Sequence, residues 1–97
     1  MKEILITICA TTHYYGTTPI KCDMVLKLKK DPENPYDGNA ISANLPSLGI
    51  VGYVANSSST LREGTSSASE IYNVIENEEY CKVIFKGENY VIAKIMK

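Results

Sequence analysis

The apolar residues of this chain fall into six short segments, each bounded by turn-forming residues, and most of them alternate at period two. Ile4, Ile6 and Ile8 alternate with Leu5, Thr7 and Cys9. That period, carried by β-branched residues, marks a strand with two different faces. Met24, Leu26 and Leu28 alternate with Val25, Lys27 and Lys29, a second strand with one wet face. Pro32 and Pro35 end it, because proline has no N–H for a ladder. Ala40–Leu45 and Ile50–Val54 read as strands three and four, joined by the turn from Leu45 through Pro46 to Gly49. Tyr80–Phe85 and Tyr90–Ile95 flank Lys86-Gly87-Glu88-Asn89 and read as a closing hairpin.

The texture changes between Asn56 and Asn77. Asn56 to Gly64 suits a short helix with Asn56 as N-cap and Gly64 just past its end. Ser67-x-x-Glu70 is a capping-box pattern. Ala68, Ile71, Tyr72 and Ile75 then follow at helical spacing, which predicts a helix ending near Asn77. Six strands with one helical insertion predict a mainly β fold: a small six-stranded OB-like or SH3-like barrel, with the insertion before the C-terminal hairpin. Closure removes exposed strand edges. The 97 residues suffice for one core, so residues 1–97 are read as a single domain.

Charge narrows the function. Ten basic and eleven acidic side chains give a net charge of −1. A nucleic-acid binder of the usual kind neutralises many phosphates with a basic face; this chain has to bind at few phosphates if it binds at all. No apolar run approaches the ~20 residues that cross a bilayer. The N-terminal apolar stretch has no small-residue cleavage site before His13, so it reads as a strand and a cytoplasmic location is expected. Cys9, Cys22 and Cys81 are odd in number and widely spaced, which is neither a disulfide framework nor a Cys-x-x-Cys site. Each lies in a strand-like context and reads as a small buried apolar residue. His13 with two cysteines is a poor zinc site, because structural zinc takes about four ligands in paired spacings. No metal or cofactor is expected. No nucleophile constellation and no phosphate-cradling glycine loop is present, so the chain is read as non-catalytic.

One loop carries chemistry. In Asp31-Pro32-Glu33-Asn34-Pro35-Tyr36-Asp37, Pro35 confines Asn34 to extended backbone and fixes its own φ, and Gly38 permits a sharp bend. Two readings stay open. In one, Asp37 accepts from the amides of Gly38 or Asn39 and Tyr36 caps the core. In the other, the stiff loop projects Tyr36 as a stacking face and Asp37 as an acceptor for a sugar hydroxyl that also repels phosphate. Tyr14, Tyr15 and Tyr53 also lie near loops, as core residues or as parts of an exposed platform. Lys27, Lys29 and Lys30 are either phosphate contacts or a solvated face.

His13-Tyr14-Tyr15-Gly16, Val25 to Leu28, the run Asp31-Pro32-x-Asn34-Pro35-Tyr36-Asp37-x-Asn39-Ala40-Ile41, and Ile50-Val51-Gly52-Tyr53-Val54 resemble the HIRAN domain in order and spacing. The similarity is close from Ile4 to Leu61 and looser from Gly64 onward. It implies a modified OB-like barrel that captures the 3′-hydroxyl end of single-stranded DNA. In such domains Tyr14 and Tyr36 would meet the terminal bases or sugars, Asp37 the terminal hydroxyl, and Asn34 would brace the loop or bond the last nucleotide. Asn56, after the Tyr53 strand, would meet phosphate, with His13 and Lys30 nearby. The pattern departs at three places: His13 stands where the better-known members carry arginine, Asn56 stands near a basic position, and Tyr53 replaces a histidine. Lost charge-assisted contacts of ~1.5–3 kcal/mol each imply weak DNA binding. The resemblance also implies a helicase or nuclease as protein partner. The alternative is a protein-interaction or accessory module that keeps the barrel without the DNA site.

Overall fold

The computed structural model describes residues 3–96. Strands β1 (Leu5–Cys9), β2 (Val25–Lys30), β3 (Ile41–Leu45), β4 (Gly49–Val54), β5 (Glu78–Lys86) and β6 (Val91–Ile95) are joined by one four-residue helix, α1 (Ala68–Ile71). All strand pairs are antiparallel, and they close in the order β1-β4-β3-β2-β5-β6, with β6 returning to β1. The expected six-stranded barrel with one short helical insertion is the fold.

Period two sets the inside. Ile6 and Ile8 of β1, Leu26 and Leu28 of β2, Ile41 and Ala43 of β3, Val51 of β4, Cys81 and Val83 of β5, and Val91 and Ala93 of β6 are all fully buried. Ala68, Ile71 and Ile75 close one end of this core. Gly52 has a steric reason: a Cβ there would stand 2.7 Å from the Cys9 carbonyl, so only glycine lets β1 approach β4.

Three expectations are corrected. The stretch from Asn56 to Gly64 is a run of turns, not a helix. Its hydroxyls satisfy the backbone locally: Ser57 Oγ pairs with Ser59 and Thr60, and the Thr60 hydroxyl donates to the Ser57 carbonyl. Such bonds compete with a helical ladder. The second helix has its capping box, with Glu70 N donating to Ser67 Oγ and Ser67 N to Glu70 Oε1, but it ends at Ile71 and continues as turns. Finally, Cys22 is exposed; only Cys81 is buried and Cys9 is half-buried. Burial pushes the Cys81 thiol up to about 12. Among the described residues no three metal-ligating side chains gather, and no helix is long and apolar enough to cross a membrane.

The closure has one thin seam. β1 and β4 pair only at Ile8–Val54 and Cys9–Tyr53. Past these the serine-rich segment takes over. Ala55 N donates to Thr7 O, Ser66 N donates to Leu5 O, and Ser66 forms a parallel bridge with Ile6. Thr7 is buried under this segment, its hydroxyl 2.8 Å from that of Thr65 and accepting from Arg62 N at 3.1 Å.

Candidate nucleic-acid interface

The loop between β2 and β3 is closed at its base by Asp31 N donating to Ala40 O at 2.8 Å and Ala40 N to Asp37 O at 3.1 Å. Asn34 organises its interior. Its side-chain carbonyl accepts from Tyr36 N at 2.9 Å and Asp37 N at 3.1 Å, and its amide donates to Asp31 at 3.3 Å. Asn34 thus braces the loop, as one of the two roles expected of it. Gly38 is not among the residues with positive φ. The bend is made instead by Asp37, whose Oδ1 accepts from Asn39 N at 2.9 Å.

The turn reading is half right. Asp37 does bond the Asn39 amide, but Tyr36 does not cap the core: it is 94% exposed at the loop tip. The second oxygen of Asp37 accepts from Asn56 Nδ2 at 2.8 Å. Asn56 is therefore no helix N-cap at the start of its own segment. Its carbonyl instead receives Ser69 N at 2.9 Å, at the start of α1, and Asn39 reaches Ser69 Oγ at 3.1 Å. A carboxylate offers roughly four lone-pair positions, so two bonds leave Asp37 with acceptor capacity.

An open groove of about 330 Å³ lies against this carboxylate, lined by Cys9, Asp37, Ala40, Tyr53, Val54, Asn56, Ser57 and Thr60. Tyr14, from the turn after β1, packs beside Tyr53 with ring centroids 6.3 Å apart and planes tilted by 39°. Burial pushes the Tyr53 phenol up, the nearby Tyr14 and Asp31 add to this, and Asn34 opposes it. Tyr53 thus joins the aromatic wall to the braced loop. Burial likewise raises the Cys9 thiol, against a contact with Thr60 across the groove.

The structure therefore brings Asp37, Tyr53 and Asn56 together at the groove, with Tyr14 behind Tyr53 and Asn34 beneath the loop. It does not bring all the expected residues there. Tyr36 projects from the loop tip outside the lining. His13 is exposed at the end of a 3-10 turn, Thr11–His13. Lys30 is drawn off to Tyr72, its ammonium 4.7 Å from the ring centroid. Lys27 pairs with Glu78 at 3.0 Å. Tyr15 turns toward the Leu48 carbonyl, and no lysine or arginine is among the described lining residues. Ala40, Val54, Ser57, Thr60 and Cys9 escaped the sequence reading, because they meet only through the β1–β4 seam and the returning loop.

The HIRAN domain profile matches residues 1–83. The crystal structure of the HIRAN domain of human HLTF superposes with a TM-score of 0.69 at 20% identity, covering 96% of this chain and 72% of that chain. Likeness at that identity speaks to the fold. No curated protein matches the sequence. The profile spans strands β1 to β4, the braced loop, the groove, the whole serine-rich segment with α1 and the first part of β5: this chain belongs to the HIRAN domain family.

Proposed function

We propose that this chain is a non-catalytic module that binds single-stranded DNA by its 3′-hydroxyl end. The observation that carries this reading is the Asp37 carboxylate, held at the groove by Asn39 and Asn56 with acceptor positions to spare. A terminal hydroxyl can donate to it. A phosphorylated end, or a strand that continues, brings a second negative charge against it and is repelled. Tyr36, free at the loop tip, offers a stacking face worth about 1–3 kcal/mol per base. With no basic residue in the described lining, binding is weak, micromolar or weaker, and its salt dependence shallow.

Fluorescence anisotropy on oligonucleotides ending in a 3′-hydroxyl, a 3′-phosphate or a 5′-phosphate tests this. The 3′-hydroxyl end should bind most tightly, and Asp37→Ala should lose that preference while keeping its fold. Equal affinity for all three ends sinks the mechanism.

A second reading, a protein-interaction module serving a helicase or nuclease, draws on another surface. Val25, Lys27, Lys29, Asn44, Leu45, Pro46, Gly49 and Tyr80 line a second groove of about 480 Å³ on the barrel exterior. Pull-down from the native host with and without nuclease separates the two: a partner retained after nuclease treatment is held by protein contacts.

A further inference from the structure

Arg62 is the single arginine of the chain. It is exposed, and no carboxylate lies within ion-pair distance of it among the described residues. Its guanidinium lies over the Tyr90 ring, 3.9 Å from the centroid. No hydrogen bond or ion pair engages the guanidinium N–H groups among the described residues, so the fork can take a phosphate in bidentate fashion.

Its place in the barrel wall follows from the register. Arg62 N donates to Thr7 Oγ1. Thr7 and Cys9 project from the same face of β1, about 6.5 Å apart. Ile8 pairs with Val91, the first residue of β6, so Tyr90 just before that strand falls beside the end of β1 at Cys9. Thr60, two residues before Arg62, itself lines the groove together with Cys9. The wall runs β3-β4-β1-β6, so the order across the site is Asp37 and Ala40, then Tyr53, then Cys9, then Tyr90 under Arg62. β3 and β6 are three strand steps apart in the closed ring of six, so the row follows the curve of the barrel wall, about 14 Å along the sheet.

We propose that Arg62 is the phosphate site of the interface: it takes a phosphodiester of the strand whose 3′ end lies at Asp37. This rests on the end-binding reading above and gives it a direction, with the strand running from Asp37 across Tyr53 and Cys9 to the Arg62–Tyr90 shelf. Of the two positions expected to be basic, Asn56 lines the groove without a charge and His13 lies outside the lining. Arg62 places a permanent charge at the far end of the row instead.

The test measures affinity for a 3′-hydroxyl oligonucleotide over a range of salt. Arg62→Gln should make the slope of log affinity against log salt shallower by about 0.7, the value for one phosphate on a single strand. Affinity at low salt should fall about tenfold, as for one charge-assisted contact. Arg62→Lys should keep the slope. An uncharged methylphosphonate, moved through the linkages nearest the 3′ end, should weaken the wild-type protein at one linkage and leave Arg62→Gln indifferent there. If Arg62→Gln keeps both slope and linkage profile while the 3′-hydroxyl preference stands, the phosphate site is wrong and end capture survives. If the wild type binds all ends equally, or binds none, end capture fails and takes this inference with it. Should Arg62→Gln unfold, the wild-type linkage scan decides alone: no sensitive linkage overturns the assignment.

Discussion

Asn34 is the residue whose loss separates the loop's shape from its chemistry. It does not itself line the groove, yet the amides of Tyr36 and of groove-lining Asp37 both end on its side-chain carbonyl, and it also contacts Tyr53. Asn34→Ala should lower stability by about 1 kcal/mol, since two amides lose a partner but stay within reach of water. For a domain of this size that is a drop of ~4–8 °C in thermal midpoint, readable by circular dichroism. The preference for a 3′-hydroxyl should fall much further than the stability suggests, because Asp37 is no longer presented at a fixed angle. A variant that keeps full end preference would show that Asn56 and Asn39 position Asp37 unaided. Local geometry made the Asp37–Asn39 bond legible in the sequence, since Asp bonds amides two residues on, whereas the bracing by Asn34 was one of two roles implied by the resemblance. The Asn56–Asp37 bond was not legible: it spans 19 residues and exists only because β4 ends beside the β2–β3 loop. Arg62 on Tyr90 escaped for the same reason.

At the level of elements, the strands were readable and the helices only in part. Period two with β-branched residues placed most strand ends within a residue, and β5 alone starts two residues before Tyr80, at Glu78. A strand's inner face is bought by the whole barrel, so its pattern is strict. The segment from Asn56 to Ile75 answers to no such repeat. Its backbone groups are spent on β1 and on its own hydroxyls, which no periodicity reveals. The helix α1 shows the consequence. Each amide of its first turn has a different partner: Ala68 N uses the Ala55 carbonyl, Ser69 N the Asn56 side chain, and Glu70 N the Ser67 hydroxyl. Ser67 is the cap that sequence singles out, but its removal frees only Glu70 N. Asn56 serves Ser69 and Asp37 at once. Ser67→Ala should therefore cost about 0.5–1 kcal/mol, the lower range for a cap. Asn56→Ala should cost about 1–2 kcal/mol, with two bonds lost. Urea unfolding of the two variants checks the ranking, and a reversed order would place the stability of α1 in its capping box.

For the whole molecule, the question is where a closed barrel opens first. Five of its six seams are ladders of four or more paired positions, whereas β1 and β4 share only Ile8–Val54 and Cys9–Tyr53. The remainder of that seam depends on Thr7, a polar side chain fully buried beneath a loop. Its hydroxyl serves both Thr65 and the Arg62 amide. Local openings follow regions with few buried contacts, so the Ala55 and Ser66 amides should exchange with solvent well before those of Leu26 and Leu28, which exchange through global unfolding. Thr7→Val keeps the shape and removes the hydroxyl, which leaves the Arg62 amide without its acceptor. The cost should be about 0.5–1.5 kcal/mol, that of a part-buried hydrogen bond whose donor residue is exposed. Exchange at Ala55 and Ser66 should quicken further, while Leu26 and Leu28 shift only by the global loss. Because the same loop carries Thr60 to the groove and Arg62 to Tyr90, Thr7→Val should also weaken DNA binding without touching Asp37. Uniform exchange around the barrel would mean the serine-rich segment seals the seam as firmly as a strand, and the groove would then be a rigid slot.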